Sequence, residues 1–125
     1  MNKTIKNVYE EIGATTGLII DEPSDLLAGE YNGYHFTVYY SQNGGYYVDV
    51  SVSKAGQPAT QETLVNARKS IYAVKTVHGK EYIVSCLIKG HLRRSIVANT
   101  VSAIKEVSDF LKMNGYVDMS ANSEV

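Results

Sequence analysis

Residues 31–53 read YNGYHFTVYYSQNGGYYVDVSVS and hold six of the ten tyrosines in the chain. Side chains of a strand alternate between its two faces, and this stretch contains two alternating runs. In the first, Tyr34, Phe36, Val38 and Tyr40 share a face, with His35, Thr37, Tyr39 and Ser41 on the other. In the second, Tyr46, Val48, Val50 and Val52 lie opposite Tyr47, Asp49, Ser51 and Ser53. How the two runs pair decides the fold. A two-residue loop at Asn43-Gly44 sets Tyr40 against Tyr47 and Val38 against Asp49, mixing apolar and polar faces. A one-residue slip of that kind exposes a whole apolar set. A three-residue loop, Gln42-Asn43-Gly44, restores the parity by placing Gly44 at the left-handed position of a type I turn with a bulge. Tyr40 then faces Tyr46, Val38 faces Val48 and Phe36 faces Val50. On the opposite face Tyr39 meets Tyr47 and Thr37 meets Asp49.

Upstream, Asn32-Gly33 is a two-residue hairpin signal, because both central positions need φ > 0. It pairs Tyr31 with Tyr34, Gly29 with Phe36 and Leu27 with Val38, so residues 26–54 read as three antiparallel strands. Before them, Ile5, Val8, Tyr9 and Ile12 follow the spacing of a short amphipathic helix, with Gly13 as its stop. GLIIDEPSDL, residues 17–26, reads as a loop with a brief extended piece. Downstream, Thr60 or Thr63 caps a helix whose apolar stripe is Leu64, Ala67 and Ile71. Residues 72–90 read best as a hairpin turning near His78-Gly79, although 72–76 also fit an extension of the helix. Strand 81–88 is its firmer half, dense in β-branched residues. From about His91 to Met113, Ile96, Thr100, Ala103, Ile104, Val107, Phe110 and Leu111 hold a helical period, which Asn114-Gly115 ends.

The expectation is one α+β domain over residues 1–116, in the order α-βββ-α-ββ-α. It has an antiparallel sheet of about five strands and a flexible polar tail over 117–125. A chain of 125 residues is long enough for one core without staples. The net charge of −1 argues against nucleic-acid binding and membrane adsorption, and no run has the length of a membrane span. That balance hides an asymmetry. Residues 1–60 carry three Lys/Arg against seven Asp/Glu, and residues 61–125 carry nine against six. The opposite halves pair within the fold, pair across a dimer or are simply solvated. The single cysteine, Cys86, rules out an internal disulfide and sits in the apolar run YIVSCLI as a small buried hydrophobe. With no signal-peptide core at the N-terminus, the chain reads as cytoplasmic.

This order of elements is similar to that of the small secretion chaperones, the type III effector chaperones and their relatives. In those proteins a twisted antiparallel sheet carries helices on one face. The resemblance covers the whole chain at the level of architecture, with no shared motif, so no residue is carried over. It implies an α+β fold, homodimerisation and binding of an extended segment of a protein partner. The family is typically acidic, whereas this chain is near neutral with a basic second half.

Two clusters are candidate binding sites. The polar strand face carries His35, Tyr39, Tyr47 and Asp49; it is either solvated, covered by a helix, or a dimer or ligand surface built on the two tyrosines, a residue type enriched at interfaces. The turn IKGHLRRS carries Lys89, His91, Arg93 and Arg94 where a strand passes through Gly90 into the long helix. Cations there oppose the helix dipole unless an anion sits between them, so the turn is either a solvated basic loop or a phosphate or carboxylate site. The three histidines are scattered and the acids lack calcium-loop spacing, so neither a metal nor another cofactor is expected. No nucleophile elbow or phosphate-binding loop is present, and the chain reads as non-enzymatic. The function expected is a protein-interaction domain, chaperone-like or dimerising. Anion or phosphate binding through residues 89–94 is the alternative.

Overall fold

The computed structural model describes residues 1–41, 45–53, 72–77 and 81–119. Helix α1 (Lys3–Thr16) leads into strands β1 (Ile19–Asp21), β2 (Leu26–Tyr31), β3 (Tyr34–Ser41) and β4 (Gly45–Ser53). Strands β5 (Tyr72–Val77) and β6 (Glu81–Ile88) follow, then the long helix α2 (Arg93–Met113) and strand β7 (Val117–Asp118). The antiparallel sheet runs β1-β2-β3-β4-β6-β5, with β7 pairing to β4.

The expected parity holds residue by residue. Tyr40 pairs with Tyr46, Tyr39 with Tyr47, Val38 with Val48, Thr37 with Asp49 and Phe36 with Val50. On the other side of β3, Leu27 pairs with Val38, Gly29 with Phe36 and Tyr31 with Tyr34. The hairpin turns through Asn32 and Gly33 at φ 54° and 87°, the left-handed values such a turn requires. Strand β6 extends the alternation, with Cys86 opposite Val48 and Val84 opposite Val50. The inner face is therefore continuous across β2, β3, β4 and β6: Leu27, Phe36, Val38, Val48, Val50, Val52, Val84 and Cys86 are all buried. Both helices lay their apolar stripes on it, α1 through Val8, Tyr9 and Ile12 and α2 through Ile96, Ile104, Val107 and Leu111. Tyr9 ties α1 to the sheet with its hydroxyl, which accepts from the Tyr40 N–H at 3.0 Å and donates to the Asp25 carbonyl at 3.3 Å. Burial pushes this phenol up to about 12.

The far end of the sheet is clamped by the C-terminal part of the chain. The Asn32 amide donates to Ser108 Oγ at 3.2 Å and Asp109 Oδ1 at 3.0 Å, and its oxygen accepts from Lys112 Nζ at 3.0 Å. The Tyr34 hydroxyl donates to the Tyr116 carbonyl at 2.7 Å, and the His35 N–H donates to Asp118 Oδ1 at 3.2 Å. Strand β7 pairs Asp118 with Val52 and Val117 with Ser53, where the β3 ladder on that edge of β4 has ended.

Several expectations change. Residues 117–118, read as the start of a polar tail, form β7. Residues 19–21, read as a brief extended piece within a loop, form β1 against β2. Residues 72–77 are strand, which resolves the helix-or-strand alternative. The sheet thus exceeds the five strands expected by two short ones. Helices flank the chain as expected, but the middle helix proposed from Thr60 or Thr63 lies outside the described residues, as do the turns at 42–44 and 78–80 and residues 120–125. Gly13 does not stop α1, which runs on to Thr16 and is capped by Gly17 at φ 84°. The place of Gly13 is explained by approach: a Cβ there would lie 2.6 Å from the Leu18 carbonyl oxygen.

A glycine-to-alanine change inside a helix ordinarily stabilises it by about 1 kcal/mol. At Gly13 the contact with backbone reverses the sign, and Gly13→Ala is expected to cost about 1–3 kcal/mol. The readout is a lower urea midpoint at unchanged slope. A raised midpoint would contradict the close approach of α1 to Leu18.

Candidate functional site: the outer face of the sheet

The residues excluded from the core by parity collect on the opposite face of β3, β4 and β6. Among the described residues no helix packs there, since α1 and α2 both bury their stripes on the inner face. Tyr39 and Tyr47, paired across β3 and β4, stack with ring centroids 5.4 Å apart and planes 17° from parallel. Offset stacking of this kind contributes about 0.5–1.5 kcal/mol beyond area burial. The Tyr39 hydroxyl reaches along the strand and donates to Asp49 Oδ2 at 3.2 Å. From the next strand, Ser85 Oγ donates to Asp49 Oδ1. Three strands thus contribute to one chain of hydrogen bonds, Tyr39 to Asp49 and Ser85 to Asp49, in which each carboxylate oxygen accepts a hydroxyl. Burial, then the charge of the Asp49 carboxylate and the proton held in their hydrogen bond, raise the Tyr39 phenol above its ordinary value.

Around this centre the face is partly apolar. Leu87, opposite Tyr47 on β6, is 42% exposed, and Ile19 on edge strand β1 is 73% exposed. His35 shares the face but stands apart: it is exposed, two alternating positions from Tyr39, and its fixed contact is the backbone N–H held by Asp118. Tyr39, Tyr47 and Asp49 are therefore brought together, and His35 is not. Ser85 was missed from sequence because the run YIVSCLI reads as an apolar strand; pairing β6 to β4 in the parity of the Tyr39–Tyr47 pair would have found it opposite Asp49.

The basic turn is divided by the structure. Lys89 and His91 line a pocket at the end of the sheet. Arg93 instead turns to α1, its Nε 2.8 Å from Glu11 Oε2, a pairing between the acidic and basic halves of the chain. Arg94 lines a separate depression with Glu11, Leu92 and Arg93. The four cations do not converge on one point. Cys86 is buried on the inner face as a core side chain. Among the described residues no group of three or more His, Cys, Asp or Glu side chains is placed to share a metal, and no helix is long and apolar enough to cross a membrane.

No protein-family model, curated protein or solved structure matches this chain.

The carboxylate that raises the Tyr39 phenol is removed in Asp49→Asn. The phenolate would no longer meet a negative charge, so Tyr39 should titrate at lower pH than in the parent protein while staying above 10.0, because the burial contribution remains. A pH series of tyrosine ring carbon shifts by NMR measures this. An unmoved Tyr39 titration would place Asp49 out of its reach.

Proposed function

We propose that the chain is a non-catalytic, cytoplasmic protein-interaction domain that associates through the outer face of its sheet, with a second copy of itself as the partner. The observation that carries this reading is the Tyr39–Tyr47 stack, on a face to which no described helix packs. Paired tyrosines offer a large, rigid contact area at small entropic cost, and exposed Leu87 extends the apolar area beside them. The Asp49 carboxylate at the centre already accepts hydroxyls at both oxygens, so a partner covering it need not supply those bonds. Net charge near zero adds little repulsion between copies. A two-fold arrangement of like faces gives a closed dimer in which each tyrosine pair meets the same patch of the other copy. Chaperone-like capture of an extended segment would use the same face and is supported only by the element order. A single cysteine, buried in the core, suits a reducing compartment.

Sedimentation equilibrium of the parent protein is expected to show a monomer–dimer equilibrium. In the double variant Tyr39→Ser, Tyr47→Ser the dimer should weaken by at least tenfold, while circular dichroism reports the same fold, because the inner face is untouched. A strict monomer at every concentration would refute self-association. An equally strong dimer in the variant would move the interface elsewhere.

A further inference from the structure

At the end of the sheet opposite the C-terminal clamp, the last residues of β3 and β6 and the first of β4 meet the start of α2. A pocket of about 500 Å³ lies there, lined by Thr4, Tyr40, Tyr46, Ile88, Lys89, Gly90, His91 and Ile96. That volume is in the range of small-molecule sites. Tyr40 shares the valine face of β3, yet its ring is 41% exposed because the core ends there. Tyr46 is the more telling residue. It is only 5% exposed, packed edge-on against Tyr40 at 5.1 Å and Tyr9 at 6.3 Å, and its hydroxyl has no hydrogen-bond partner among the described residues. Nor is that oxygen among the fully enclosed unpartnered atoms, so it keeps access to open space at the pocket it lines. A ligand in the pocket can take the place of the solvent this hydroxyl otherwise meets.

The other polar side chains at the pocket can each donate a hydrogen bond. Lys89 and His91 stand at it with no carboxylate paired to either among the described residues. Thr4 adds a hydroxyl from α1. Groups able to donate thus line a cavity whose body is Tyr40, Ile88 and Ile96. Inorganic phosphate is far too small to fill it, and the apolar body would be wasted on an ion alone.

We propose that this pocket binds a small aromatic carboxylate. Its ring lies against Tyr40, Ile88 and Ile96, and its carboxylate accepts from the Tyr46 hydroxyl and from Lys89 and His91. This site is independent of the sheet face that carries Tyr39 and Tyr47, and it replaces the four-cation cluster expected from sequence with two of those cations and two tyrosines.

The test uses 2-naphthoate and inorganic phosphate as probes, read by isothermal titration calorimetry and by amide shifts of the full-length protein. Naphthoate is expected to bind saturably and to shift the amides of Lys89, Gly90, His91 and Thr4. Tyr46→Phe should weaken it roughly tenfold, the loss of one hydrogen bond to a charged group. The same variant should be at least as thermally stable as the parent, because the hydroxyl it removes had no partner, and this separates lost binding from lost folding. Lys89→Gln, at an exposed position, should weaken naphthoate as well. No saturable binding, binding indifferent to both substitutions, or phosphate binding as tightly as naphthoate at the same amides would overturn the proposal. So would a Tyr46→Phe variant that loses stability and binding together.

Discussion

The pairing parity between β3 and β4 is the constraint on which the rest of the structure depends. Because side chains alternate with a period of two, a single residue of slip would put Phe36 and Val38 on one face and Val48 and Val50 on the other, so that one of the two sets would leave the core. With the parity fixed, the inner face is apolar over the middle of the sheet, and helices α1 and α2 have one surface on which to bury their stripes. The same choice sends Tyr39, Tyr47 and Asp49 to the outside and aligns Ser85 with them through β6. Core and candidate surface are two sides of one decision.

The two ends of the sheet then differ in how they are finished. At the β2–β3 turn, Asn32, Tyr34 and His35 are each held by α2 or the residues after it, so polar groups of the turn find partners from the other end of the chain. At the opposite end, α1 is tied down by Tyr9 and by the Glu11–Arg93 contact, but the start of α2 has no side-chain cap and Tyr46 has an unpartnered hydroxyl. Satisfied polar groups make a rigid clamp. At the open end the Tyr46 hydroxyl, Lys89 and His91 instead line one cavity, and these are the groups the proposed carboxylate site uses.

What the sequence makes legible follows from the range of the signals. Alternation and turn chemistry are local, so the registers of β2, β3 and β4 are readable pair by pair, as is the long period of α2. The contacts that escape are those set by distant residues. Gly13 looks like a helix stop until Leu18 is seen against it. Strands β1 and β7 are two or three residues long and exist only because β2 and β4 offer an edge. Tyr40 has the parity of a core residue but stands where the core ends. Arg93 reads as part of a basic cluster, and only the packing of α1 beside α2 gives it Glu11. The Tyr39–Tyr47 pair is legible because it lies directly across one ladder. Its hydrogen-bonded centre is less so, because Ser85 comes from a strand distant in sequence.

The central claim is that the Tyr39–Tyr47 face meets the same face of a second copy. Isotope-filtered NOE spectroscopy on a mixture of carbon-13-labelled and unlabelled protein tests it most directly. The account predicts intermolecular contacts from the Tyr39 and Tyr47 ring protons to Thr37 and Leu87 of the second copy. Intermolecular contacts confined to the helix side, from residues such as Met113 or Val101, would contradict it.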